Sequence, residues 1–231
     1  MLVTGRVARA VVAACAVAAF GGCSATDSTP DPTPTRAVDA DVLTAALLKP
    51  TDIGSTWKEV QPPRPTPLVA LCGGGEEPPA VPGAPTVVSR GLVDSGSKGA
   101  QALDQAGLLY PDAAAAAAGL AALRVSAEAC AASIKVPAQV NDQRREPAYT
   151  ETLAVKPLSE GEWSGFVVER HKLYDPAHPA AADTAVAVLT MRNVLLVDAY
   201  AVYVLGAKAP APQFDSDWRK LLATTLARVA V

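Results

Sequence analysis

PDAAAAAAGLAALRVSAEACAASI, residues 111–134, decides how this chain folds. Pro111 suits the first helical position, where its fixed φ is already helical and its missing N–H would have had no partner. Asp112 puts negative charge in the first turn, where the helix dipole favours it. Ala113 to Ala118 have the highest intrinsic helix propensity. Leu120, Leu123, Ala127, Cys130 and Ile134 then recur at steps of three and four, so they share one stripe and Cys130 points inward. Arg124, Ser126 and Glu128 fall outside it. The alanine run keeps the rod slim, which suits close packing on a sheet; a smooth lipid-facing surface is the functional alternative.

Working outward, 86–93 and 100–110 read as strands joined through 94–99, a turn by composition. Four strands follow the helix, at 148–156, 162–174, 183–191 and 194–205. Residues 157–161 and the pair Arg192-Asn193 read as hairpin turns, the second tight. Pairing across it sets Asp198 opposite Ala187, with Leu189, Leu196 and Tyr200 on one face. Val186, Val188, Val197, Ala199 and Tyr203 make the other face as apolar, so helices, loops or a ligand must cover both. A short helix over 39–49 is capped by Asp39 or Asp41, turns Val42, Ala46 and Leu47 inward, and ends at Pro50. A closing helix over 215–229 turns Trp218, Leu221, Leu222, Thr225 and Val229 onto the sheet.

Between these lie residues 61–85, with eight prolines in 25 positions and the run Gly73-Gly74-Gly75. A loop this long within a domain is normally functional or disordered. Its glycines are no phosphate cradle, because no strand precedes them and no Lys-Ser/Thr follows.

Residues 1–22 read as a secretory signal: Arg6 and Arg9, an apolar run from Ala10 to Phe20, then small residues. Phe20-Gly21-Gly22-Cys23-Ser24 resembles a bacterial lipobox, which implies that Cys23 becomes a lipidated N-terminus and the protein a palmitate-bearing lipoprotein. Two or more acyl chains anchor stably, at about 0.8 kcal/mol per buried CH₂. Plain secretion with a free Cys23 is the alternative. Residues 23–38 then read as that cysteine and a Ser/Thr/Pro tether. Loss of Arg6 and Arg9 takes the formal charge from −3 to −5, a poor match for nucleic acid. No polybasic patch suits anionic lipid, so the membrane is a partner only through the anchor. With Cys15 removed and Cys23 lipidated, Cys72 and Cys130 remain and most simply pair in an oxidising compartment.

Chemistry is thinly marked. The charged residues inside apolar strands are Glu151, Glu169, Arg170, His171 and Asp198. They read either as a solvated edge or structural ion pairs, or as polar anchors in a cleft walled by Trp163, Tyr200 and Tyr203. The ligand-cleft candidates are therefore Trp163, Arg170, His171, Asp198, Tyr200 and Tyr203. His171 and His178, seven apart with Asp175 and Asp183 nearby, have no ligand spacing for a metal. Ser95-x-x-Lys98 lacks its companion motifs, and Ser164 in G-E-W-S-G has the wrong spacing for a nucleophile elbow. No cofactor, metal or catalytic residue is expected.

Leu47-Leu48-Lys49-Pro50-Thr51-Asp52, Cys72, Tyr110-Pro111-Asp112-Ala113 and Cys130 stand in an order that resembles one family. It is the extracellular sensor domain of mycobacterial receptor kinases of the PknH type, which many actinobacterial lipoproteins carry alone. The resemblance spans about 38–231 and implies a strongly twisted antiparallel sheet flanked by helices, with a cleft for a small ligand. That family has two disulfides, whereas this chain can make one.

The expectation is an α+β domain over residues 39–231: a twisted antiparallel sheet of about six strands, two or three helices and one disulfide. Its function is expected to be non-enzymatic, a membrane-anchored extracytoplasmic domain binding a small ligand or envelope component. The alternatives are a carrier with an acyl-chain cavity for lipid or lipoglycan, and an accessory protein acting through an envelope protein partner.

Overall fold

The computed structural model describes residues 37–61, 66–96, 99–141, 144–207, 209 and 211–229. The signal segment, Cys23 and nearly all of the tether lie outside them.

Helix α1 (Ala40–Ala46) is capped by Asp39, whose side chain accepts a hydrogen bond from Val42 N. Its buried stripe is centred on Leu43, because Gly107 leaves room below: a Cβ there would lie 2.4 Å from Leu43. Val42, expected inward, is therefore displaced to the exposed side. Pro50 opens a second short helix, α2 (Pro50–Ile53), with Asp52 accepting from Lys49 N.

The six expected strands all form and make up the middle of an eight-stranded antiparallel sheet. They are β2 (Thr86–Gly96), β3 (Gly99–Leu109), β7 (Tyr149–Glu160), β8 (Trp163–Tyr174), β9 (Ala180–Met191) and β10 (Val194–Leu205). Two short strands complete it, β1 (Lys58–Glu59) and β4 (Ser133–Val136), and the order is β1-β2-β3-β10-β9-β8-β7-β4. A separate ribbon pairs β5 (Gln139–Asn141) with β6 (Arg144–Glu146). Asp198 stands opposite Ala187, in the expected register.

Helix α3 (Ala113–Glu128) starts two residues later than expected, because Asp112 is the cap and its carboxylate accepts from Ala115 N at 2.8 Å. It also ends sooner. Ile134 belongs to β4, opposite Glu151, since the chain turns at Cys130 and the alternating Ser133-Ile134-Lys135-Val136 pairs with the sheet edge. The 157–161 turn moves as well: β7 runs through Pro157 to Glu160, and the turn falls at Gly161 with φ 57°. Proline is tolerated there because β4 pairs only with residues 149–152 of β7, leaving an open edge beside Pro157.

Each sheet face has its own core. On face one α1 and α4 (Phe214–Val229) cover Leu103, Leu189, Leu196 and Tyr200. On face two α3 and the proline loop cover Leu108, Phe166, Val186, Val188 and Leu195. The slim rod explains the close fit of α3: Ala116, Gly119, Leu123 and Ala127 are its buried residues, and a Cβ on Gly119 would lie 2.6 Å from the Tyr110 hydroxyl. The Cys72–Cys130 disulfide, with Cα atoms 5.2 Å apart, ties the loop to the end of α3. Leu68 and Leu71 bury themselves beneath it.

Candidate functional site

The six cleft candidates divide between the two faces. Arg170 and Tyr203 lie on face two; Trp163, His171, Asp198 and Tyr200 lie on face one.

Arg170 is a loop anchor. It donates from Nη1 to the Cys72 carbonyl at 2.6 Å and stands 3.8 Å from the buried Glu151 carboxylate. Glu151 accepts from Gly74 N at 2.8 Å. Burial lowers the Arg170 pKa, and the facing Glu151 opposes that shift. Here the glycine run acquires its reason: a Cβ on Gly73 would lie 2.5 Å from the Glu151 carboxylate. Tyr203 is half-buried, edge-on to Tyr174 with ring centroids 5.9 Å apart.

Asp198 lies under α4. Gln105 donates from Nε2 to Asp198 Oδ2 at 2.6 Å and to Thr225 Oγ1 at 2.8 Å, while its Oε1 accepts from Leu48 N. Burial, aided by the charge of Asp104 and opposed by the Gln105 hydrogen bond, pushes the Asp198 carboxyl up to about 7. Tyr200 stacks on Phe214 and donates to Gln101 Oε1 at 2.8 Å. Its pKa is raised, first by burial and then by Asp217. Trp163 sits in the face-one core.

His171 lies at the first residue of α4, its ring edge-on to Phe214 with centroids 6.3 Å apart, and so shares Phe214 with Tyr200. Its other side opens beyond the helix, where Thr152, His171 and Asp183 form one cross-strand row over β7, β8 and β9. The adjacent row is Lys135, Thr150, Leu173 and Ala181. His171 Nδ1 donates to Asp183 Oδ1 at 2.6 Å, and Asp183 Oδ2 accepts from Ala211 N at 2.8 Å. Asp183 is 2% exposed and His171 39%, so a buried carboxylate orients a ring that reaches open space. That space is a cleft of about 350 Å³ lined by Thr150, Thr152, His171, Leu173, Ala181 and Ala209, with the charged Lys172 and Asp183 also at its wall. Thr150 and Leu173 also line an adjoining hollow of about 530 Å³, which continues over Lys135, Val136, Pro137 and Pro176.

Sequence reasoning found His171 but placed it in one cleft with residues of both faces. It missed Thr150, Thr152 and Leu173, and it weighed Asp183 only as a metal neighbour. Strand alternation carries the missing signal, because neighbours such as Arg170 and His171 must point to opposite sides. Among the described residues no group of three or more His, Cys, Asp or Glu could hold a metal ion.

In structure, the chain is similar to the extracellular domain of PknH from Mycobacterium tuberculosis. The TM-score is 0.50 at 17% identity, over 83% of this chain and 98% of that one. The chain therefore has a PknH-type sensor-domain fold. No protein-family model matches it, and no curated protein matches its sequence. Among the described residues no helix is long and apolar enough to cross a membrane.

Proposed function

We propose that this protein is a non-enzymatic, extracytoplasmic sensor-like domain that binds a small ligand, held at the membrane by lipid on Cys23. One observation carries the ligand reading: the His171–Asp183 cleft, a mostly apolar hollow with a few oriented polar groups, which is how small-molecule sites are built. The fold shared with an extracellular domain and the signal and lipobox pattern of residues 1–24 support the address. The hollows of about 350 and 530 Å³ fit a small molecule better than the acyl chains of a lipid carrier. A carrier of that kind calls for an apolar cavity beyond about 1,000 Å³, the upper end of ordinary ligand pockets.

Native mass spectrometry of the protein made in its own host tests the ligand. A retained species of a few hundred daltons is expected; co-purified diacyl lipid would overturn the reading in favour of the carrier. Cell fractionation of Cys23→Ala tests the anchor. Release into the medium or arrested maturation is expected, and full retention at the membrane would refute it.

A further inference from the structure

The open part of face one has a chemistry specific enough to name a ligand class. Asp183 is at the cleft wall, but both its oxygens are engaged, by His171 and by Ala211 N, so the group left open there is the second imidazole nitrogen, Nε2. Thr152 is the direct cross-strand partner of His171, and Thr150 lies two positions along the same strand and face. Neither threonine hydroxyl has a hydrogen-bond partner among the described residues, nor does Nε2. The two hydroxyls, and Nε2–H when the ring carries its second proton, are thus the donors lining one small volume. Beyond them the floor is apolar: Leu173, 48% exposed, then Ala181, Pro137 and Pro176. Lys135 closes the far end, where its stem can lie along an apolar body with the ammonium in water. From strand spacing and rise its Cα is roughly 12 Å from that of His171.

The nearby charges leave this balance intact. Lys172 points to the other face, its ammonium 4.3 Å from the Tyr149 ring centroid. Asp175, on the rim, is occupied by its own turn and accepts from Ala177 N. Among the described residues the cleft lining therefore offers donors and the Lys135 ammonium, and its carboxylates, Asp183 and Asp175, are engaged.

We propose that this face binds an amphipathic monocarboxylate of medium chain length. Its carboxylate accepts from the Thr150 and Thr152 hydroxyls and from Nε2–H of a doubly protonated His171 ring, whose Nδ1–H is already given to Asp183, and its hydrocarbon body lies over Leu173 toward Lys135. The proposal rests on the reading of this cleft as a small-ligand site and gives that site its substrate class.

Octanoate, octan-1-ol and octylammonium are titrated separately into the protein by calorimetry, with the imidazole ¹⁵N signals followed by NMR. The protein has two histidines, so the His171 signal is readily assigned against His178. Octanoate is expected to bind at least tenfold tighter than either analogue and to shift the His171 signal alone. His171→Asn is expected to weaken octanoate tenfold or more, and Thr152→Val, which keeps side-chain shape, threefold or more. Octanol or octylammonium binding as tightly as octanoate at His171 would overturn the carboxylate class while leaving a ligand site there. An octanoate affinity unchanged in Thr152→Val would do the same. No binding by any probe, with His171 unmoved, would overturn both the class and the site.

Discussion

Asp198 has its carboxylate where water does not reach, under α4 and against the Gln105 amide. Its folded-state pKa of about 7 lies above the ordinary 3.8, so between those values the folded chain keeps a proton that the unfolded chain releases. The stability Asp198 contributes is thus complete below about pH 4 and lost as pH rises through 7, on the order of 4 kcal/mol at most. Urea unfolding at pH 5 and pH 8 should show wild type losing stability across that interval and Asp198→Asn losing much less. Parallel losses in the two proteins would mean that the carboxylate is not the titrating group. The sequence marks Asp198 as unusual, a charge among valines and leucines, but not its partners, because Gln105 and Thr225 are 93 and 120 residues apart from Asp198 and Gln105 respectively. The same holds for Arg170 and His171: alternation puts them on opposite faces, yet only the fold reveals that one face is roofed by a loop and the other is open.

The proline loop shows what an element without regular structure can contribute. Among the ties that hold it are the disulfide, Arg170 to the Cys72 carbonyl, Gly74 N to Glu151 and the Tyr110 hydroxyl to the Pro82 carbonyl. Closing 58 residues of chain is worth roughly 4 kcal/mol in the entropy model, so Cys130→Ser should melt about 10 °C lower in calorimetry. Gly73→Ala should cost about 1–3 kcal/mol, because the new methyl meets a carboxylate fixed on both sides. An unchanged melting temperature in Gly73→Ala would show that Glu151 is free to move. Helix periodicity and hairpin turns made the long elements legible, including all six central strands. The short ones escaped for physical reasons. β1 and β4 have two and four residues, too few for a period, and the break in α3 is set by the backbone pairing Ile134 with Glu151. Proline within β7 reads as a turn until one sees that β4 leaves that edge bare.

At the scale of the molecule, one sheet separates two cores, and the helices roof them unequally. α3 and the loop cover face two, whereas α1 and α4 cover only part of face one. The uncovered strip is where β7, β8 and β9 present Thr150, Thr152, His171, Leu173 and Ala181. The apolar pattern on both faces of β9 and β10 showed that each needed a cover. It could not show that β7 and the end of β8 lacked one, because that depends on how far α4 reaches. The most direct test is chemical-shift mapping of the ¹⁵N-labelled protein against the small-molecule fraction of its host's envelope. Amide shifts clustered at Thr150, Thr152, His171, Leu173 and Ala181 are predicted. Shifts clustered on face two, or none at any concentration of extract, would contradict the account.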